Sequence, residues 1–289
     1  MEPAATPPTS TVAHADGRPP AARQSASTLV ARLAAAGGAP RLTWYAGGGE
    51  RIELSGAVLG NWITKTANLL VEEFDLGPES TLVLDLPAHW RSITWAFAAW
   101  RLGARVDLRT DAGPGDVVVT DTPQRWAGHG ADVVAVSLAP LARSFGAPLP
   151  AGVVDAASSV MTYGDVLGYA PPTDPSAPAL LSGGAPGALT HAELVDWGLG
   201  GPAGAPDPGA RTLVVAREPA AFLRDAVGTW ARDGSLVAVT PDVASLATSD
   251  PDRWERLVAG ERVDVRLTDR PDEPDAPDAP DAPDAPQAG

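Results

Sequence analysis

Three residues in the second half of the chain have the side chains of a nucleophilic triad: Ser182, His191 and Asp196. A hydrolase of the α/β type holds its serine on a sharp turn between a strand and a helix, with the signature G-x-S-x-G. Ser182 follows two leucines instead, and the spacing of the three residues does not by itself build a triad. We therefore predict no hydrolase chemistry and assign no catalytic residue.

Metal and thiol chemistry have equally little support. The chain contains no cysteine, which excludes disulfides, thiolate metal sites and cysteine nucleophiles. Its four histidines, His14, His89, His129 and His191, are scattered, and none has a second ligand at the i, i+4 spacing of a helical metal site. We predict no metal site. For His191 two roles stay open: packing at the start of a helix, or contact with a ligand.

Glycine and tryptophan are the other suggestive residue types. The glycine run 47–49 lies between two strand-like segments, whereas a phosphate-binding loop connects a strand to a helix, so the sequence predicts a turn. Three of the nine tryptophans, Trp90, Trp95 and Trp100, share one segment. Helix and core packing account for such residues more often than ligand pockets do, so we assign them to the core.

Charge and hydropathy restrict the classes of partner. The formal net charge of -15 argues against nucleic acid, which needs clustered Lys and Arg. No apolar stretch approaches the roughly 20 residues of a membrane span, and the N-terminus has no basic and apolar leader. We expect a cytoplasmic protein with no membrane partner. Lys65, the only lysine, falls in a predicted helix on a face that we expect to be exposed, as a solvated charge.

The ends of the chain differ from its middle. Residues 1–23 are mostly Pro, Ala, Thr and Ser, and residues 269–289 repeat Pro-Asp-Ala. Such segments bury too little apolar surface to repay the entropy of ordering. The sequence therefore predicts a disordered N-terminal arm, one domain over 24–268 and a disordered acidic tail, for which solubility or a basic partner are the two candidate roles.

Within 24–268, short β-branched runs alternate with helical segments. This pattern predicts an α/β fold of the layered αβα type with mainly parallel sheets. Ser55 is the expected N-cap of the second helix. The predicted strands are 41–45, 51–54, 81–86, 105–108, 117–120, 133–136, 212–215 and 236–239, and the predicted helices are 24–36, 56–75, 90–102, 192–197, 220–230 and 251–259.

Three groups of residues carry a resemblance to a known family. They are an LGP turn, a strand ending in Leu-Pro and an aromatic helix closing on Gly-Ala (Leu76-Gly77-Pro78, Val83 to Pro87, Trp100 to Ala104), the run from Leu180 to His191 before a helix, and the segment from Ser249 to Val263. Together they resemble the N-terminal part of the adenylate-forming superfamily, the AMP-forming synthetases and ligases that include acyl-CoA synthetases, adenylation domains and luciferases. The chain also resembles a group of short actinobacterial synthetase-like proteins.

The resemblance implies a phosphate loop at 182–191. Its candidate nucleotide-binding residues are Ser182, Gly183, Gly184, Thr190 and His191. In the family this loop offers hydroxyls, backbone N–H groups and a lysine to the triphosphate. Here the loop is a few residues shorter, keeps only Ser182 as a hydroxyl before Thr190 and has no lysine. The resemblance thus implies a degenerate loop.

Adenylation also needs parts that the family carries farther along its sequence. The resemblance implies an aromatic-Gly-x-Thr-Glu segment for adenine and magnesium, an aspartate for the ribose and a mobile C-terminal domain with a catalytic lysine. The acidic tail begins before any of these. We therefore expect no complete adenylation from this chain alone.

Two functions remain. The first is a degenerate synthetase-like protein that acts as a binding or interaction module for a nucleotide, an acyl group or a protein partner. The second is an AMP-forming acyl-CoA synthetase-type ligase, or half-enzyme, completed by a C-terminal domain in trans. No cofactor is assigned, and ATP or AMP with magnesium is the one candidate. An active enzyme would need an acid and a cation near the loop, for which the sequence offers arginines such as Arg211 and Arg217.

Overall fold

A computed structural model describes residues 24–111, 113, 115–183, 188–200 and 206–267. The predicted arm, the predicted tail and Gly184 lie outside the described residues. The helices are α1 (Ala26–Ala35), α2 (Gly56–Phe74), α3 (Trp90–Arg101), α4 (Ala156–Ser159), α5 (Leu194–Leu199), α6 (Pro219–Ala231), α7 (Pro241–Ala244), α8 (Leu246–Ser249) and α9 (Pro251–Gly260). The strands are β1 (Pro40–Ala46), β2 (Glu50–Ser55), β3 (Thr81–Asp85), β4 (Arg105–Asp107), β5 (Val117–Thr120), β6 (Asp132–Ala135), β7 (Val154–Asp155), β8 (Pro178–Leu181), β9 (Leu189–Thr190), β10 (Arg211–Val215), β11 (Ser235–Val239) and β12 (Val265–Leu267).

The strands form two sheets. One has the order β12-β10-β11-β1-β2, and the other has the order β7-β6-β5-β3-β4-β8-β9. Neighbouring strands are parallel except for the β1–β2 hairpin and the β8–β9 pair at the opposite edge of the second sheet. The predicted α/β fold with mainly parallel sheets is confirmed.

The hairpin and the helix after it form as the sequence predicts. Gly47–Gly49 makes a short 3-10 turn between β1 and β2, in which Gly48 has a φ of 70°, a left-handed conformation that glycine adopts at little cost. The Ser55 hydroxyl then accepts the Val58 N–H at 3.3 Å, which confirms the predicted N-cap of α2.

A layer of helices lies between the two sheets. Helices α2 and α6 pack on the five-stranded sheet, α3 packs on β3 and β4 of the seven-stranded sheet, and α1 contacts all three of these helices. One continuous apolar core joins this layer to the facing sides of both sheets. On the outer face of the five-stranded sheet, α9 buries Trp254 and Val258 against β10 and β11.

Trp90, Trp95 and Trp100 belong to this core, as predicted, whereas Trp126 and Trp254 pack in two separate apolar clusters. Seven of the nine tryptophans are buried, namely Trp44, Trp90, Trp95, Trp100, Trp126, Trp230 and Trp254, and Trp62 and Trp197 are partly buried. The indole of Trp100 donates a hydrogen bond to the Ala179 carbonyl at 2.8 Å and so joins α3 to β8. Burial of the ring and a partner for its N–H together explain why tryptophan suits this position.

The expectation for Lys65 is wrong. Its side chain is only 16% exposed, and its ammonium forms an ion pair with Asp165 at 2.6 Å and donates to the Tyr163 carbonyl. The neighbouring Asn68 fixes the same segment, since its amide donates to the Gly164 and Val166 carbonyls. The helical pattern gave no sign that an irregular segment about 100 residues later covers this face of α2. Lys65 is a structural tie and not a free surface charge.

Helices α5 and α6 cross with their backbones in contact. A Cβ atom on Gly198 would lie 2.5 Å from Val227 Cγ1, and one on Gly228 would lie 2.4 Å from the Gly198 carbonyl oxygen. Two glycines at the crossing let α5 approach α6 this closely. The contact fixes α5, which directly follows the candidate loop.

His89 caps α3 and contacts the five-stranded sheet. Its Nδ1 accepts the Arg91 N–H at 3.1 Å, and its ring lies edge-on to Trp44 of β1, with ring centroids 4.7 Å apart. Burial, and secondarily the charge of Arg91, lowers the pKa of His89 from its ordinary 6.5 to about 3. The capping histidine is therefore neutral at physiological pH.

We expect Gly228→Ala to lower the free energy of unfolding by about 1–3 kcal/mol, because its Cβ meets backbone that cannot move aside without displacing α5. Urea unfolding followed by circular dichroism measures the loss. The control is Gly260→Ala at the end of α9, where a Cβ meets no atom within 4 Å and stability should not fall. Equal stability of the two variants would contradict the close crossing.

Stability should also fall as pH decreases from about 6.5 toward 3. In that range the unfolded chain protonates His89 and the folded chain does not, so protons favour unfolding, by up to about 3 kcal/mol at pH 4. His89→Asn keeps a good N-cap and removes the titration. The slope of unfolding free energy against pH should be shallower in the variant, whatever its stability at pH 7. Parallel slopes would show that His89 titrates normally in the folded protein.

Candidate functional site

The candidate loop leaves the carboxyl end of β8 in the seven-stranded sheet. Ser182 is partly buried, and Gly183 is exposed, with no atom within 4 Å of the position of a Cβ. Open sheets of this kind bind ligands in the crevice beyond the carboxyl ends of their strands. The start of the loop is therefore in the right place, and its backbone is accessible. Gly184 lies in the undescribed residues 184–187.

At the far end of the loop, Thr190 is hydrogen-bonded within the turn that leads into α5. The backbone N–H and the hydroxyl of Thr190 both donate to Glu193 Oε2, at 2.9 Å and 2.8 Å. These two bonds lower the pKa of the Glu193 carboxyl. Thr190 Oγ therefore stabilises the turn into α5 and is already engaged when a ligand arrives.

His191 faces the protein interior. It is 5% exposed, and its Nε2 lies 3.1 Å from the Gly103 carbonyl oxygen, to which it donates. Burial lowers its pKa, and the bond to the carbonyl opposes that effect. In this structure the His191 ring packs in the interior, and its contact with a ligand stays a prediction. Its ring nitrogen bonds to the turn after α3, whereas Asp196 is exposed on α5.

An acid and a cation that the sequence did not single out lie beside the loop. Asp107 of β4 pairs in register with Leu181 of β8, and the Leu108 N–H donates to the Leu181 carbonyl at 2.9 Å. Arg109 binds Asp107 with both Nε and NH2, at 3.0 Å and 2.9 Å. This contact raises the pKa of Arg109. The available signal was a polar pair directly after a short strand, at the sheet edge where ligands bind.

The arginines considered from the sequence lie elsewhere. Arg211 of β10 binds Glu261, Ser235 and Thr43, and so joins β1, β10 and β11 to the end of α9. Arg217 is exposed after β10. Neither contacts the described residues of the loop.

The middle of the same sheet edge is closed by side chains. Asp85, at the end of β3, accepts hydrogen bonds from Thr120 at 2.9 Å and from the Trp126 indole at 2.7 Å, and it pairs with Arg125 at 3.4 Å. Arg125 also donates to the Thr110 carbonyl and hydroxyl. Carboxylate and cation satisfy each other here, so the accessible part of the edge is its β4–β8 side.

Two small cavities of about 10 Å³ each lie among the described residues, one beside Arg91 and one beside Arg41. In the same part of the chain no group of three or more His, Asp or Glu side chains is placed to hold a metal ion. Within it, no helix combines the length and apolar character of a membrane span.

One known protein is similar to this chain in sequence, and several solved structures are similar to it in fold. No protein-family model matches the sequence. A protein of Mycobacterium tuberculosis, whose name states no activity, is 39% identical over 140 residues, which is 44% of this chain and 55% of that protein. The chain therefore spans little more than half the length of the curated relative.

Solved structures match a larger part of the chain at lower identity. An acyl-CoA synthetase of Brucella canis aligns over 83% of this chain and 47% of its own, with a TM-score of 0.60 and 19% identity. An amide bond synthetase of Marinactinospora thermotolerans aligns over 83% and 48%, with a TM-score of 0.55 and 17% identity. An anthranilate CoA ligase solved with anthranoyl-AMP aligns over 74% and 45%, with a TM-score of 0.56 and 14% identity.

These matches fall on the two-sheet architecture described above and confirm the resemblance found in the sequence. Each structure extends well beyond the aligned part, so the likeness concerns the fold of one part of a larger protein. The chain has the α/β fold of the N-terminal part of the adenylate-forming synthetases.

Proposed function

We propose that this chain is a degenerate synthetase-like binding module, with residues 24–268 as its domain, that takes a nucleotide or an acyl group at the 182–191 loop without completing acyl adenylation. One observation carries the proposal. The described polar side chains at the end of the loop bind the protein itself, Thr190 to Glu193 and His191 to Gly103.

The electrostatics of the loop support the same proposal. Adenylation develops negative charge on the α-phosphate and requires cations or N–H groups aimed at that charge. The loop sequence has no basic residue before His191, and burial favours the neutral form of this histidine. Lys65, the only lysine, is committed to Asp165. The backbone at Ser182 and Gly183 remains accessible in the described loop. Backbone groups alone suit the binding of a ligand better than the catalysis of its reaction.

Isothermal titration of the full chain with ATP, AMP and an acyl-AMP analogue, each with magnesium, tests binding. We expect micromolar affinity for at least one of them, weakened tenfold or more by Gly183→Asp, because a carboxylate in the loop repels phosphate. Gly38→Asp is the matched control, since it adds the same charge at an exposed glycine with open space around it. Equal affinity in both variants would show that the ligand does not bind at the loop. Absence of binding at millimolar ligand concentration would refute a module that binds a nucleotide or an acyl group. A protein would then be the remaining candidate partner.

The second function is an AMP-forming acid ligase completed by a C-terminal domain in trans. Asp107 and Arg109 favour it, because they place an acid and a cation one strand away from the loop. In this function Arg109 would leave Asp107 to meet a phosphate, and Asp107 would be free for magnesium. In the structure Asp107 and Arg109 bind each other, so neither is free for magnesium or phosphate. The binding module does not require this ion pair to break.

Exchange of labelled pyrophosphate into ATP separates the two functions. With magnesium and a set of carboxylic acids, we expect no exchange above background for the chain alone or with an added synthetase C-terminal domain. Exchange that appears with the added domain, and falls tenfold or more in Asp107→Asn and Arg109→Gln, would establish the ligase. Arg125→Gln changes an equally exposed arginine on the same sheet edge and should leave any exchange unchanged.

A further inference from the structure

Arg91 is a buried cation without an ionic partner. It stands in the first turn of α3, is 8% exposed, and takes part in none of the salt bridges found among the described residues. Its Nε is buried and has no hydrogen-bond partner within the described chain. Removing a charge from water without compensation costs several kcal/mol, and arginine does not escape the cost by losing its proton. The site therefore requires compensation from another source.

The surroundings of Arg91 supply part of that compensation. Its guanidinium lies 4.5 Å from the ring centre of Trp90 and 5.6 Å from that of Trp62, both within the range of cation–π attraction. Glu50 is the carboxylate whose charge acts on Arg91, but it makes no ion pair with it, and Glu50 Oε1 is itself buried without a hydrogen-bond partner among the described residues. Burial raises the pKa of Glu50 and lowers that of Arg91. Both charges thus remain poorly paired.

Arg91 also lines a cavity of about 10 Å³, between α2, α3 and the segments that follow β6 and β7. Thr66 and Ser137, whose hydroxyls can donate, line the cavity with Trp62, Trp95 and Val160. Thr94 also lines it, but its hydroxyl already donates to the Arg91 carbonyl at 2.7 Å. A space of this size holds one atom or group as large as a water molecule. Ser137 and Ala157 are partly exposed at the rim, so the cavity can be reached from solvent.

We propose that this cavity is a binding site for one halide ion, held by the Arg91 guanidinium and the hydroxyls of Thr66 and Ser137. A cation, a single-atom space and hydroxyl donors are what such an anion requires, and its charge supplies what the tryptophan rings and Glu50 do not. Sulfate and phosphate are too large for the space. The site lies outside the 182–191 loop and does not depend on the function proposed for that loop.

Thermal unfolding at constant ionic strength tests the proposal. In sulfate buffer, replacing part of the salt by sodium chloride or bromide should raise the melting temperature relative to that of Arg91→Met in a saturable manner, because the halide binds the folded state. The comparison with Arg91→Met cancels the general stabilisation by sulfate, and formate, with three heavy atoms, should give no such difference. Iodide quenching of tryptophan emission is the second measurement, and a saturable component from the rings beside Arg91 should compete with chloride.

Four variants make the test specific. Arg91→Met should abolish both saturable effects, whereas Arg125→Met, which removes an arginine 5.2 Å from the Trp126 ring but exposed and paired with Asp85, should keep them. Ala157→Leu narrows the partly exposed rim without touching Arg91 and should weaken anion binding tenfold or more, which covers the case in which Arg91→Met does not fold. Glu50→Gln should strengthen binding.

A difference in melting temperature from Arg91→Met that does not depend on the kind of anion would overturn the proposal and leave a water molecule as the occupant. If both Arg91→Met and Ala157→Leu keep the saturable quenching, the anion binds at another site and the proposal is wrong.

Discussion

The burial of α3 from Trp90 to Trp100 is the main physical constraint on this structure, and Arg101 at its end is partly exposed. The helix lies between two sheets, and each residue from Trp90 to Trp100 is buried, so every polar group on it must find a partner inside the protein. Most do. Ser92 and Thr94 bond back to the helix, Trp100 bonds to β8, and Arg101 donates to Thr64 of α2 at 2.7 Å. Unpaired atoms gather at the N-terminal turn, at Trp90 Nε1 and Arg91 Nε.

The same constraint links the core to the candidate loop. The turn after helix α3 contains Gly103, whose φ of +77° directs the chain back toward β4. The Gly103 carbonyl accepts a hydrogen bond from the buried ring of His191, the last residue of the loop. β4 and β8 then run side by side, which brings Asp107 next to Leu181. The loop is therefore held at both ends by elements that pack against one buried helix. A site built on such a support is well placed to be rigid, and its described side chains are committed to that support.

Much of this fold could be predicted from the sequence because its central elements are long or strongly apolar. The apolar run of β3, the β-branched runs of β5, β10 and β11, and the Ser55 cap of α2 are local signals that tertiary contacts only reinforce. The strands that the sequence did not reveal are β7, β8, β9 and β12, which have two to four residues. Strands this short are defined by a neighbour at a distant point in the chain. Lys65 shows the same limit for side chains, because the segment covering it is remote in sequence.

The candidate site was harder to predict than the fold for a physical reason. A phosphate loop is recognised by residue types, but whether its groups are available depends on which partners they find. Thr190 and His191 match the resemblance by type, yet their polar atoms are bound to Glu193 and Gly103. Conversely, Asp107 and Arg109 became visible only when the register of β4 and β8 was known. The sequence resemblance pointed to this region, and that assignment stays a prediction. The competition of protein groups for the same hydrogen bonds decides what the region can still hold.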